Sequence, residues 1–181
     1  MAEYHLVEKN NQQPQPNRDI CLTPRIETFK DEVWYTNLYD LPATVASKDE
    51  NGAIELIADV KLKNVNRQEV TGTAAAFDIT YNCTTNKTAI KVTTQQEITA
   101  QTAFVLPIVS PSSEAVTQVS ENEITIQKQE GLVTIKANAP IKTKEMEGTR
   151  TFNMVPGVEA LPLEVFFIEG NKELKISIAV S

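Results

Sequence analysis

Histidine is all but missing from this chain, whose 181 residues carry a single one, His5, beside two cysteines, one tryptophan and six glycines. Ser-His-Asp and Cys-His nucleophiles, two-histidine zinc sites and facial triads all need imidazoles, so the familiar catalytic kits are excluded. His5 also lies near the start of the chain, where fraying is common. Cys21 and Cys83 form no CxxC pair, which leaves zinc binding unsupported. They are the candidates for a disulfide if the chain is exported, with two buried free thiols as the alternative. Neither a metal nor a cofactor is expected.

Basic charge is also in deficit. Seventeen Lys and Arg face 24 Asp and Glu, for a net charge of -7. A nucleic-acid binder needs a basic stripe to displace counterions from phosphates, so nucleic acid is not an expected partner. Anionic membranes are disfavoured for the same reason. Long apolar runs are missing too: no stretch approaches the ~18 residues of a membrane span, and membrane insertion is not expected. The opening residues, Met1 to His5, lack the basic and apolar regions of a signal peptide. The protein is then either cytoplasmic or a chain whose leader or preceding domain was removed. Its 20 threonines, many in strand-like runs, favour an exported β-protein, secreted, periplasmic or at the cell surface.

What is present is 41% hydrophobic, enough for one domain with a sizeable core. Residues 9–19 hold two prolines and no apolar side chain, the composition of a linker or extended arm. Residues 1–30 are expected to form this N-terminal arm, with a short strand in it, and residues 31–181 the folded domain. A patch at 33–39 holds Trp34, Tyr35 and Tyr39, and the polar cluster 47–52 closes it as a loop.

From Ala53 onward apolar and polar residues alternate over short runs broken by Gly, Pro or Asn. Ile54, Leu56, Ala58, Val60 and Leu62 form one such run, and Ala75, Phe77, Ile79 and Tyr81 its partner. Both have the two-residue period of a half-buried strand. Runs at 89–93, 98–106, 124–128, 132–136, 163–168 and 174–180 keep the period, with hairpin-length turns at 129–131 and 169–172. No window carries a helical apolar face. The fold class is therefore all-β, an antiparallel sandwich of roughly 8–12 strands.

Candidate sites are few. A sugar platform needs an aromatic face with amide or carboxylate neighbours, and Trp34, Tyr35, Asn37, Tyr39 and Asp40 form the best such cluster. If 33–39 is a strand, Tyr35, Asn37 and Tyr39 share one face and Trp34 and Leu38 the other. Core packing is the alternative use of these aromatics. Paired-carboxylate hydrolysis would draw on Glu145, Glu147, Glu159 and Glu164, or on Asp31, Glu32 and Asp40 beside Trp34. With 24 acidic residues such juxtapositions arise by chance, and solvated carboxylates on outward strand faces are the favoured reading. A Tyr or Lys base beside an arginine would need Arg25, Arg67 or Arg150, which are scattered. Asn82-Cys83-Thr84 and Asn86-Lys87-Thr88 match the glycosylation pattern and also read as a polar hairpin tip. The oxygen ligands in 47–52 lack the alternating spacing of a calcium loop.

Residues 132–141 and 150–163, the latter with Phe152-Asn153, Pro156-Gly157, Glu159-Ala160 and Pro162-Leu163, resemble the closing segment of the C-terminal β-sandwich in bacterial heparinase II/III-like polysaccharide-degrading enzymes. The resemblance implies that a helical toroid carries the catalytic Tyr, His and Arg or Asn. No such toroid is visible in this sequence, and no catalytic residue carries over onto it. The expected function is a non-catalytic module of an exported bacterial glycan-processing protein, structural or carbohydrate-contacting, with a polysaccharide or oligosaccharide and a neighbouring catalytic domain as partners. A surface or adhesin-like sandwich that binds a protein partner, and a small carboxylate-pair glycoside hydrolase, are the alternatives.

Overall fold

The computed structural model describes residues 22–50, 52–143, 151–153 and 158–181. In chain order the strands are β1 (Arg25–Lys30), β2 (Val33–Thr36), β3 (Thr44–Glu50), β4 (Ala53–Lys61), β5 (Ala76–Cys83), β6 (Lys87–Thr93) and β7 (Gln101–Val109). There follow β8 (Val116–Ser120), β9 (Glu123–Lys128), β10 (Gly131–Ala137), β11 (Ile141–Thr143), β12 (Thr151–Asn153), β13 (Val158–Phe166) and β14 (Glu173–Val180). One 3-10 turn, Asn37–Tyr39, is the only helical element among the described residues.

Two antiparallel sheets result. The larger has the order β3-β4-β5-β6-β14-β10-β9-β8; the smaller runs β11-β13-β7-β1-β2, with β12 also on β13. The expected antiparallel sandwich is what the chain forms. Its fourteen described strands exceed the roughly 8–12 expected, because several short strands carry little apolar signal.

The core is the space between the sheets. Ile26, Phe104, Leu106, Leu161, Leu163 and Val165 from the smaller sheet meet Phe77, Ile79, Ile90, Val92, Ile135 and Leu174 from the larger. Phe77 touches Phe167 across the gap, with ring centroids 5.8 Å apart. Alternation sets these faces: in β5, Phe77 and Ile79 are buried and Asp78 between them is exposed. The centre of β7 departs from this, for Thr102 to Leu106 are all buried, the mark of a strand covered on both sides. Pro107 and Pro162 sit opposite each other. The first lies beyond the stretch that β1 pairs and the second between the β11 and β12 pairings, so neither missing N–H interrupts a neighbouring ladder.

Three expectations need correction. Arg25–Lys30 is a strand between β2 and β7, so the smaller sheet begins within the segment read as arm. Residues 47–50, expected in a loop, are strand: β3 pairs all along β4 at the edge of the larger sheet, and Thr44 to Asp49 are exposed on both faces. The last two runs do not form a hairpin, since β13 lies in the smaller sheet and β14 between β6 and β10 in the larger. The turn is real, closed by Asn171 N–H donating to Ile168 O with Gly170 at φ +77°, but Phe167 packs on Phe77 and carries the chain across. The strand expected at residues 4–8 lies outside the described residues.

Phe104 is fully buried at the centre of the interface. Phe104→Ala is expected to lower stability by about 3–5 kcal/mol in urea denaturation, with little change in the slope of the transition.

Candidate functional site

The aromatic cluster falls at a corner where the two sheets meet. Strand β2 ends at Thr36, which exchanges two backbone hydrogen bonds with Lys63 just past β4 (2.9 and 3.1 Å). The chain then enters the 3-10 turn, so the expected alternation stops at Thr36 and no longer sorts Asn37, Leu38 and Tyr39 by face. Asn37 Oδ1 accepts from Ile26 N–H at 2.8 Å. Asp40, 8% exposed, accepts from Lys61 N–H through Oδ2 at 2.8 Å. Its Oδ1 accepts no hydrogen bond of good geometry; its partner is the Lys63 ammonium at 2.6 Å. Both polar members of the predicted platform are therefore occupied in tying strands together.

The aromatics divide as the strand pattern predicted up to Thr36. Trp34 stands opposite Phe29 on β1, with ring centroids 4.7 Å apart at 36°, on the outer face. Tyr35 packs against the core from the other side. Tyr39 is half-buried in the turn. The structure brings Trp34 to Phe29 on the neighbouring strand.

A different carboxylate pair emerges beside this corner. Asp59 on β4 and Asp78 on β5 face each other directly on the outer surface of the larger sheet. Desolvation, then the hydrogen bond and charge of Asp59, hold the Asp78 carboxyl above its ordinary range. Thr44 Oγ1 donates to Asp59 Oδ2 at 3.0 Å. The pair borders a concavity of about 360 Å³ that also reaches Asp40, Lys63 and Glu69. Both residues occupy polar positions of paired runs, and only the strand register, absent from the sequence, shows that they meet. Two adjacent carboxyls can share a proton, but this pair is exposed to water, with no apolar chamber around it.

The carboxylates that the sequence offered are dispersed. Glu159 accepts from Ser112 N–H and Oγ, and Glu164 sits opposite Lys142. Asp31 and Glu32 form the exposed β1–β2 turn, both at positive φ, as a tight hairpin of this kind requires. Glu145 and Glu147 lie outside the described residues. Burial pushes the Tyr81 phenol up to about 12, with the nearby Cys83 adding to it, so at neutral pH it holds its proton and is no base. Arg25 is buried with Glu27, Nε to Oε1 at 2.7 Å. Cys83 ends β5 half-buried, while Cys21 lies outside the described residues. The two glycosylation-like triplets are at the β5–β6 hairpin tip, closed by Thr84 N–H donating to Lys87 O. Among the described residues no cluster of three or more His, Cys, Asp or Glu could hold a metal ion.

A model of the ulvan lyase C-terminal domain family matches residues 1–181. The chain belongs to this family. It is 58% identical over 180 residues to the broad-specificity ulvan lyase of Formosa agariphila, a match that covers 99% of this chain and 28% of that protein. The chain thus spans about a quarter of the length of this curated relative. The expected kinship with a C-terminal domain of polysaccharide-degrading enzymes holds, and the family is that of ulvan lyases, not specifically the heparinase-like one.

Asp40→Ala strands the Lys61 N–H and the Lys63 ammonium, and is expected to cost about 2–4 kcal/mol in chemical denaturation; Asp40→Asn, which keeps an acceptor for Lys61 N–H, should cost less. Asp78 is the opposite case. Its raised pKa means the folded state holds the proton more tightly, so stability falls as pH rises through the acid range above the ordinary carboxylate value. Asp78→Asn should raise the melting temperature at pH 7, and the gain should shrink as the pH is lowered; an unchanged gap across that range contradicts this account.

Proposed function

We propose that this chain is a non-catalytic accessory module of an exported ulvan-degrading lyase, working beside a separate region that carries the elimination. One observation bears most of this reading: the family match runs the whole chain, yet the chain covers only 28% of the Formosa enzyme. The remainder of such an enzyme is where the resemblance to heparinase II/III-like proteins puts the catalytic residues.

The geometry supports the same division of labour. Eliminating a sugar from a polysaccharide requires a base at the proton beside a uronate carboxyl and a group to neutralise that carboxylate. Here the Tyr81 phenol keeps its proton, the buried Arg25 is paired with Glu27, and Asp40 holds a corner. Contact with a neighbouring region is supported by an apolar strip on the core-facing side of β3 and β4: Val45 is 70% exposed and Ile54 47%, with Leu56 beside them.

Incubating the chain with ulvan should release no unsaturated uronate, followed by ultraviolet absorbance, while the complete enzyme does so under the same conditions. Unsaturated ends generated by the chain alone overturn the proposal.

A further inference from the structure

The outer face of the larger sheet carries a trough that no part of the sequence pattern announced. Side chains there fall into rows across the strands, and one row reads Asn82 (β5), Ala89 (β6), Ser177 (β14) and Lys136 (β10). Its two central members are small. The next row along the strands places Lys91 directly opposite Lys175, and on the other side Lys87 stands opposite Ala179. The small pair Ala89 and Ser177 therefore floors a depression of about 440 Å³ with ammonium groups around it. That volume lies within the usual range for a ligand site. Four adjacent strands at the usual spacing make it roughly 14 Å long, an open groove suited to an extended chain.

Charge decides what it holds. Like charges directly opposite on a sheet are destabilising, and Lys91 and Lys175 have one carboxylate between them: Glu173 lies 3.0 Å from the first and 2.6 Å from the second. The two ammoniums together draw its pKa down. Lys136 pairs with Glu123 at 3.0 Å. All three lysines remain more than half exposed. The three ammoniums that line the trough face two carboxylates, Glu173 and Glu123, and Glu55, next to Asn82 in the same row, is paired with Lys48, so a local positive excess remains on a molecule of net charge -7. The acid pair Asp59 and Asp78 is held to the neighbouring strands, one row beyond Lys91.

We infer that this trough binds an acidic polysaccharide along the row from Asn82 to Lys136, with Lys91, Lys175 and Lys136 meeting its anionic groups. The inference rests on the accessory-module reading for the class of polymer, since a lyase substrate bears uronate carboxylates. No aromatic side chain lines the trough, so recognition is by charge and hydrogen bonding, sensitive to salt and built from several weak contacts.

The test runs the 181-residue chain through native gels containing ulvan, polygalacturonate, dextran sulfate, neutral dextran or single-stranded DNA. Retardation by ulvan and at least one other acidic polysaccharide, relieved by salt, is expected; polygalacturonate and dextran sulfate show whether carboxylate or sulfate is the group met. The double variant Lys91→Ser/Lys175→Ser should weaken binding about tenfold, whereas Lys142→Ser on β11 of the smaller sheet should leave it unchanged. If the serine variant does not fold by circular dichroism, Lys136→Ser should still weaken binding and Lys91→Arg/Lys175→Arg should keep it. Migration unaffected by every acidic polysaccharide, equal retardation by neutral dextran, stronger retardation by DNA, or unchanged binding in the lysine variants overturns the inference. Elimination assays judge the accessory-module reading and the gels judge the trough, so either can fail alone.

Discussion

Burial of two apolar faces against each other is the constraint that the rest of this molecule obeys. Leu161, Leu163 and Val165 recur at every second residue of β13 because only that spacing keeps them all on one side of the pleat. A slip of one residue in any central strand would turn such a set out to water, which fixes the register throughout. Polar groups enter the interior only when satisfied. Thr28 and Thr102 meet there, hydroxyl to hydroxyl at 2.8 Å, each the other's partner in the β1–β7 ladder.

The same constraint explains the corner at Asp40. A sandwich has edges where the chain passes between sheets, and backbone groups there have no ladder to join. Thr36 and Lys63 make a local two-bond ladder, and the carboxylate of Asp40 reaches over to Lys61 N–H and the Lys63 ammonium. Asn37 and Asp40, which the sequence offers beside the aromatics, tie strands together here, since an asparagine and an aspartate can bond backbone N–H groups as readily as hydroxyls.

Legibility followed physical origin. Strands with one buried face announced themselves by period, and β4 with β5 and β9 with β10 pair as their runs suggested. Thr44–Glu50 did not, because an exposed edge strand carries polar side chains whose composition matches a loop. The β13–β14 connection misled because a glycine turn closes the same way whether the next strand pairs back or crosses to the other sheet; Phe167 against Phe77 decides it, and that contact spans 90 residues of sequence. Lys91, Lys136 and Lys175 were illegible as a group for the same reason. Three solvated lysines on three strands become neighbours only through the insertion of β14 between β6 and β10.

That insertion also sets the electrical character of the outer face. One row across it carries Asp59, Asp78, Thr93 and Glu173, and the adjoining row carries Lys91 and Lys175. Like charges thus stand opposite each other twice, an arrangement that sheet stability alone disfavours. The two cases are relieved differently: the aspartates by a carboxyl that keeps its proton more readily, the lysines by a single shared glutamate. Alternating the charges across these strands would have removed both penalties with the same residues. Segregating them instead leaves a positive field over the small-residue floor at Ala89 and Ser177, and a field of one sign is of use only to something of the opposite sign.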